Sequence, residues 1–140
     1  MARWLLKSEP STWSWDDQVK AGAKGTSWDG VRNHLAKRHL MAMKRGERAF
    51  FYHSGEEKRI VGIVEVIGAY RPDPSDKTGA FGMVDVKAVA ALPIPVTLAQ
   101  CKTERKLTKM ALLNNSRLSV QPLSDDEWSI VCRMGGMPSA

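Results

Sequence analysis

The sequence has few of the residues and patterns that would connect it to a disulfide scaffold, a membrane or a nucleotide-hydrolysing enzyme. Cys101 and Cys132 are the only cysteines, so no disulfide framework is expected and a reducing compartment fits better. No run of about 18 apolar residues occurs, so no transmembrane helix is expected. The patterns GxxxxGK[ST] and GxGxxG are also missing, which leaves nucleotide hydrolysis and dinucleotide binding without support.

Signals for a metal site and for secretion are weak as well. The histidines are His34, His39 and His53, and no CxxC pattern is present. His34 and His39 are five residues apart, whereas a helix brings ligands together at a spacing of three or four. We therefore expect no metal and no other cofactor. The first residues become charged too early for a signal peptide, so we expect a protein that is not secreted, cytoplasmic in a bacterium or nuclear in a eukaryote.

The chain does have enough apolar residues for a core and an excess of positive charge. Its 140 residues, 43% of them hydrophobic, favour one domain over residues 1–140. The formal net charge of +6 favours polyanionic partners. One concentration of basic residues accompanies a predicted helix and comprises Lys37, Arg38, Lys44 and Arg45. On its own, this run is equally compatible with phosphate binding and with an ordinary solvated helix face.

The order of the predicted elements indicates an α+β fold. Strands are predicted at residues 3–8, 48–53, 59–70, 81–92 and 117–123, and helices at residues 15–20, 32–43, 96–102, 104–113 and 125–134. We expect Pro93 and Pro95 to end the fourth strand. The strand at 59–70 is apolar on both faces apart from Glu65, which predicts a central position. Gly62 and Gly68 within it favour a sheet that curls or closes into a small barrel.

One six-residue stretch combines the side-chain types that a nucleobase site needs. Trp28, Asp29, Arg32 and Asn33 lie between a predicted loop and the start of a helix. An aromatic ring can stack on a base, and the polar groups can meet its edge. Arg32 is predicted to project with the apolar face of the helix, where it would need a partner such as Asp29 or Glu9. A buried pair that braces the fold without any ligand is the alternative.

The other aromatic and nucleophilic residues have simpler interpretations. We assign Trp13 and Trp15 to packing of the first helix against the sheet. Ser54 follows His53 in a strand, where neighbours point to opposite faces, so a role in the hairpin turn is favoured over nucleophilic catalysis. Cys101 has basic neighbours that would lower the pKa of its thiol, although a packed thiol is the simpler interpretation.

Four segments, in this order, resemble the EVE domain family: WLLKSEP at residues 4–10, WDGVRN at 28–33, FFYHS at 50–54 and RLSVQP at 117–122. The resemblance covers residues 3–134. It implies a PUA-like fold, with a curled, mainly antiparallel sheet and helices around it, and a pocket similar to that of YTH domains. It also implies binding of nucleic acid, DNA or RNA, with recognition of modified bases such as methylated cytosine, and no enzymatic activity.

Carried over to this chain, the resemblance implies a base-binding pocket drawn from all four segments. Its residues would be Lys7, Ser8, Glu9, Trp28, Asp29, Arg32, Asn33, Tyr52, His53, Ser54, Arg117 and Ser119. An aromatic residue often follows the asparagine in this family, whereas this chain has His34 there, so no contact is assigned to His34.

We therefore expect a monomeric, non-enzymatic reader that binds phosphates with Lys37, Arg38, Lys44 and Arg45 and stacks one base on Trp28. Two other classes stay open. One is an enzyme acting on an extruded base or an RNA end, with Glu9 as acid or base and Ser54 or Cys101 as nucleophile. The other is an adaptor that binds a small molecule or a protein.

Overall fold

The computed structural model of the protein describes residues 1–138 and contains one six-stranded mixed sheet. The strands are β1 (Arg3–Ser8), β2 (Thr26–Trp28), β3 (Arg48–His53), β4 (Arg59–Pro72), β5 (Gly82–Thr97) and β6 (Val120–Leu123). The helices are α1 (Trp15–Lys20), α2 (His34–Ala42), α3 (Leu98–Thr103), α4 (Ala111–Asn114) and α5 (Asp125–Met134). Two short 3-10 turns cover Gly22–Lys24 and Arg105–Leu107. No helix in the described part of the chain is both long and apolar enough to cross a bilayer.

The strands are arranged in the order β2-β5-β4-β3-β1-β6. Every neighbouring pair is antiparallel except β1 and β3, which run parallel. A parallel pair requires a long crossover, and α1, β2 and α2 form it here. The predicted α+β class is therefore confirmed, and the sheet is open rather than closed into a barrel. The central position predicted for β4 is confirmed as well.

The regular pairing of the sheet is interrupted at several positions along β4. Its pairing with β5 shifts register around Gly62 and again around Gly68, which are the two positions that the sequence predicted as bends. At Gly62, a Cβ atom would lie 2.5 Å from the ring of Trp15. The missing side chain therefore allows the indole of Trp15, at the start of α1, to lie directly on β4.

Two hydrophobic clusters cover the two faces of the sheet. The first contains Trp15, Trp28 and Phe51 together with the buried residues of α2. The second contains Phe50 and Trp128, whose rings stack with centroids 4.0 Å apart, and the buried residues of α3 to α5. Phe50 and Phe51 separate in this way because successive side chains of a strand point to opposite faces. The candidate site described below lies beside the first cluster.

The prediction that the fourth strand ends at Pro93 was wrong, because the corresponding strand, β5, continues to Thr97. On β4, Ile60 pairs with Val96 and Gly62 pairs with Ala91. One β4 residue therefore faces the four β5 residues 92–95, which form a bulge that includes both prolines. Proline is tolerated at a bulge, where no ladder hydrogen bond from its nitrogen is needed.

The caps of α1 and α5 follow local signals, whereas the start of α2 differs from the prediction. Ser14 and Ser124 each accept a hydrogen bond in a capping box at the start of their helix. At α2, Asn33 is the N-cap and its side chain accepts a hydrogen bond from the backbone N–H of Ala36. The helix therefore begins at His34 instead of residue 32, and Arg32 precedes it.

Three further boundaries differ from the prediction. Trp28 lies on the short edge strand β2, where it pairs with Val84, and not in a loop. The helix predicted at 104–113 divides into a 3-10 turn and the short α4. The strand predicted at 117–123 is limited to β6, because residues 116–117 form a turn. The predicted apolar face of α2 is also narrower than expected, since Leu35 is 42% exposed.

Candidate nucleic-acid interface

A cavity of about 480 Å³ opens next to the first cluster, between β2 and the segment after β1. Its lining residues are Lys7, Ser8, Glu9, Thr12, Trp13, Thr26, Ser27, Trp28, Asp29 and Gly30. The structure thus brings five of the predicted pocket residues together, namely Lys7, Ser8, Glu9, Trp28 and Asp29. A cavity of this size with indole walls and a few polar groups is suited to one small planar molecule.

Trp28 forms a fixed wall of this cavity. It is only 7% exposed, and its ring meets Phe51 edge to face with centroids 5.4 Å apart and an interplanar angle of 89°. Pairing of β2 with β5 fixes its backbone as well. Because the ring belongs to the core and also lines the cavity, it offers a rigid surface whose orientation is set before any ligand binds.

Trp13 is a second indole in the lining, a role that was not predicted from the sequence. It is half-buried, and its Nε1 donates a hydrogen bond of 2.9 Å to Oε1 of Gln18. Its backbone oxygen accepts a hydrogen bond of 2.5 Å from the Ser8 hydroxyl. The available signal was position: Trp13 lies among polar residues just before a helix, the same context that drew attention to Trp28.

Glu9 and Asp29 supply two exposed carboxyl groups to the lining. The Glu9 carboxylate lies against Gly55 in the β3–β4 loop, where a Cβ atom would collide with it. Gly55 has a φ of +75°, a backbone conformation that favours glycine. The carboxylate of Glu9 therefore occupies the space that a side chain at residue 55 would need. Carboxylate oxygens accept hydrogen bonds from the exocyclic amine of cytosine.

The ammonium group of Lys7 is engaged elsewhere. Its Nζ donates a 2.7 Å hydrogen bond to the backbone oxygen of Ser116 and lies 5.7 Å from the centroid of the Tyr52 ring. Burial lowers the pKa of this ammonium group. Tyr52 belongs to the second cluster, and burial, with a smaller effect of Cys101, raises its pKa to about 12. The structure therefore does not bring Tyr52 to the cavity.

His53 and Ser54 lie behind the cavity wall. Nε2 of His53 accepts a hydrogen bond of 3.0 Å from the backbone N–H of Trp15, and Nδ1 lies 2.8 Å from Oε1 of Glu57. With Nε2 as the acceptor, Nδ1 is the ring nitrogen that donates to the Glu57 carboxylate. Ser54 donates its backbone N–H to the backbone oxygen of Ser8, 2.9 Å away. These contacts attach the hairpin end to α1 and β1.

Arg32 pairs with Asp73, and not with Glu9 or Asp29 as expected. Its side chain is 41% exposed because it precedes α2, and its Nη1 lies 3.2 Å from Oδ2 of the fully buried Asp73 side chain. The same oxygen accepts a 2.9 Å hydrogen bond from the Gly30 backbone. Burial alone would raise the pKa of Asp73, but hydrogen bonds from Ser75, Gly30 and Arg32 together hold it far below its usual range.

The remaining predicted residues lie away from the lining. Arg117 is exposed in the turn before β6, and the backbone oxygen of Ser119 accepts a hydrogen bond of 2.9 Å from the Lys7 backbone. Asn33 uses its side-chain oxygen to cap α2. Lys37 and Arg38 lie on α2, and Lys44 and Arg45 follow its C-terminal end, Lys37 half-buried and the other three exposed.

The cysteines lie in the second cluster, on the other face of the sheet from Trp28. Burial raises the pKa of the Cys101 thiol to about 11, so the thiol stays protonated at neutral pH. Cys101 is therefore separated from Glu9 and lacks the thiolate that a nucleophile needs. Within residues 1–138, no group of three or more His, Cys, Asp or Glu side chains is placed to hold a metal ion.

The comparisons with known proteins give one consistent family. The EVE domain profile matches residues 2–134 of the chain. The solved structure of Rpa0253 from Rhodopseudomonas palustris is 59% identical with a TM-score of 0.92, covering 97% of this chain and 94% of that one. Human thymocyte nuclear protein 1 is 34% identical over 93% of this chain and 72% of the human protein. A crystal structure of the human protein in complex with 5-methylcytosine-containing DNA superimposes with a TM-score of 0.90 and 32% identity, covering 99% of each chain.

Proposed function

The chain belongs to the EVE domain family, and we propose that it is a nucleic-acid-binding protein that takes one modified cytosine into the Trp28 cavity. It acts as a monomer and leaves the base chemically unaltered. The observation that carries this proposal is a single cavity lined by two indole rings and two exposed carboxyl groups. Stacking surfaces and hydrogen-bond acceptors are what an extruded, amine-bearing base requires.

Stacking on Trp13 and Trp28 supplies affinity. The rigid setting of both rings supports this role, since each is held by a core contact or a hydrogen bond before a ligand arrives. A base that stacks on an aromatic side chain gains about 1–3 kcal/mol. A preorganised ring avoids much of the ordering entropy that a mobile side chain would lose on binding.

Glu9 and Asp29 supply selectivity among the bases. A carboxylate accepts the N4 amine of cytosine, whereas uracil and thymine present a carbonyl oxygen at the same edge position. Repulsion between that oxygen and a carboxylate disfavours both of them. Glu9 lines the cavity with its carboxylate next to Gly55, which supports an acceptor on this wall. Methylated cytosine is the leading candidate because the human relative was crystallised with 5-methylcytosine-containing DNA.

The sugar–phosphate backbone is bound by basic residues on and after α2. Arg38, Lys44 and Arg45 are exposed and Lys37 is half-exposed. Contacts of this kind position the strand and carry little sequence information, so they set affinity for any nucleic acid while the cavity selects the base. DNA is the first probe to use, and RNA of the same sequence is the second.

The proposal is tested with a panel of DNA and RNA oligonucleotides that carry cytosine, 5-methylcytosine or thymine at one position. Binding is measured at two salt concentrations for the wild type, Trp13→Ala and Trp13→Phe. We expect 5-methylcytosine to bind most tightly and Trp13→Ala to lose at least about fivefold in affinity. Trp13→Phe keeps a stacking ring but loses the hydrogen bond to Gln18, so its affinity is expected to lie between those of the wild type and Trp13→Ala. Trp28 is less suitable, because removal of a core tryptophan destabilises a protein by about 3–5 kcal/mol.

Equal affinity for all three bases in every variant would contradict the proposal. The oligonucleotides are recovered after incubation and analysed by mass spectrometry. An unchanged mass is expected. A changed base, abolished by Glu9→Gln, would instead establish the enzyme alternative.

A further inference from the structure

Beside the base cavity, four side chains from two segments form a cluster of rings and cations. The ring centroids of His34 and Phe81 are 5.0 Å apart with an interplanar angle of 35°. The guanidinium carbon of Arg32 and Nζ of Lys37 lie 5.7 Å and 5.9 Å from the Phe81 centroid. We call Arg32, His34, Lys37 and Phe81 the rim cluster. From the sequence, Arg32 was assigned to the base pocket and Lys37 to phosphate binding, whereas His34 and Phe81 were assigned no role.

The loop between β4 and β5 holds Phe81 in this position. The backbone N–H of Phe81 donates a 2.7 Å hydrogen bond to Oδ2 of Asp76. Its backbone oxygen accepts a hydrogen bond of 3.1 Å from the backbone N–H of Asp73. These two hydrogen bonds fix the backbone of Phe81 within the same loop that provides Asp73, the partner of Arg32. Phe81 therefore does not lie at the tip of a free loop.

The rim cluster adjoins the base cavity. Gly30 lines the cavity, and its backbone N–H donates to the Asp73 oxygen that also contacts Arg32. His34 is four residues further along, so its Cα lies at most about 14 Å from that of Gly30. When a nucleic-acid strand leaves the cavity past Gly30, the nucleotides next to the bound base lie at the rim cluster.

Packing of the core does not account for these rings. Phe81 belongs to neither hydrophobic cluster, and His34 is exposed. The charge of Arg32 is already compensated by Asp73. By contrast, the charge of Lys37 is not compensated, because no ion pair within residues 1–138 involves it. The cluster thus presents an exposed imidazole supported by a phenyl ring, with one uncompensated ammonium group beside it.

We propose that the rim cluster is a second nucleotide subsite, which binds the nucleotide adjacent to the base in the Trp28 cavity. His34, supported by Phe81, stacks on the neighbouring base, and Lys37 contacts the phosphate between the two nucleotides. This subsite rests on the proposed function, since it requires that a base occupies the cavity. The subsite makes the binding affinity depend on the base next to the modified cytosine, a dependence that the cavity alone cannot provide.

The test uses two single-stranded DNA ligands that contain 5-methylcytosine. One has ordinary bases on both sides of it, and the other has abasic sites there. His34→Ala and Phe81→Leu are expected to weaken binding of the first ligand at least about fivefold and to leave binding of the abasic ligand unchanged. His34→Phe keeps a stacking ring, so it is expected to bind the first ligand about as well as the wild type.

The lysine is tested with a matched pair of charge-removing variants. Lys37→Gln is compared with Lys106→Gln, which removes one charge from the 3-10 turn Arg105–Leu107 beside the second cluster. Only Lys37→Gln is expected to weaken both ligands, because both keep the phosphates. RNA versions of the ligands show whether the subsite is shared by the two nucleic acids.

Three outcomes would overturn the subsite. One is that His34→Ala and Phe81→Leu bind both ligands as the wild type does. The second is an equal loss on both ligands, which would mean that the residues act on the fold or on the cavity. The third is that the wild type binds no oligonucleotide at all. This result would overturn the proposed function as well, whereas the first two would overturn only the subsite.

Discussion

The indole N–H of Trp13 donates a hydrogen bond of 2.9 Å to the side-chain oxygen of the fully buried Gln18. The amide nitrogen of Gln18 in turn donates to the backbone oxygen of Val86, 3.3 Å away. One buried glutamine therefore connects the half-buried ring of the cavity to the central part of the sheet. The orientation of Trp13 is set from the interior, and Gln18 is a positioning residue for the site.

This relationship predicts that Gln18→Leu weakens nucleic-acid binding although residue 18 lacks contact with solvent. The matched control is Gln121→Leu, because Gln121 is equally buried and its side chain donates to the backbone oxygen of Leu118. Both variants are expected to lower the free energy of unfolding by about 1–2 kcal/mol in urea. Only Gln18→Leu is expected to reduce affinity for a 5-methylcytosine oligonucleotide. Equal affinities of the two variants would show that Trp13 does not depend on Gln18.

The contact between Gly55 and Glu9 gives a second prediction. Gly55→Ala places a methyl group where the Glu9 carboxylate lies, whereas Gly79, which also has a φ of +75°, has open space around it. Both alanines are expected to lower the free energy of unfolding by about 1–2 kcal/mol, because both adopt a left-handed conformation. Only Gly55→Ala moves Glu9, so only it is expected to reduce the preference for cytosine over thymine. The same loss of preference in Gly79→Ala would refute the role of Glu9.

The buried carboxylate of Asp73 predicts a pH dependence of stability. Its pKa is lower in the folded protein than its ordinary value near 4, so its stabilising effect is complete at neutral pH and declines as the pH falls through the folded value. Asp73→Asn is expected to lower the free energy of unfolding by about 2 kcal/mol at pH 7. The difference in free energy of unfolding between the wild type and Asp73→Asn should decrease below about pH 4. Urea titrations between pH 7 and pH 3 measure this difference, and a difference that stays constant would count against the ionised pair with Arg32.

The basic residues around α2 predict a change in salt dependence. Arg38→Gln and Arg45→Gln are each expected to reduce the slope of log affinity against log salt by about 0.7–0.9 if each contacts one phosphate. The loss should be the same for cytosine, 5-methylcytosine and thymine, because phosphate contacts carry no base information. Lys106→Gln is the control with an unchanged slope. A loss confined to one base would assign these arginines to the base site.

Local signals in the sequence were sufficient for most of the fold. The starts of α1 and α5 are visible in the sequence, because the capping boxes at Ser14 and Ser124 involve residues only three apart. The strand β4 was identified as central because its residues are apolar on both faces. The opposite orientation of Tyr52 and His53 also follows from strand alternation, which the resemblance alone did not take into account.

Contacts between distant segments are what the sequence did not reveal. Arg32 and Asp73 are 41 residues apart, and nothing local indicates that the loop after β4 returns to α2. The position of Arg32 was misjudged for a related reason, since the cap at Asn33 moved the helix start by two residues. Trp13 packs against the first cluster, as the sequence predicted, but the cavity wall that it completes consists of residues from separate segments and was not visible in the sequence.

The central claim is that one base occupies the cavity between Trp13 and Trp28, and NMR of the indole N–H groups tests it most directly. Five tryptophans give five indole signals, which single substitutions assign. On addition of a 5-methylcytosine oligonucleotide, we expect the signals of Trp13 and Trp28 to shift strongly and the signal of Trp128, in the second cluster, to stay in place. Binding that shifts neither Trp13 nor Trp28 would contradict the account, because the nucleic acid would then be held outside the cavity.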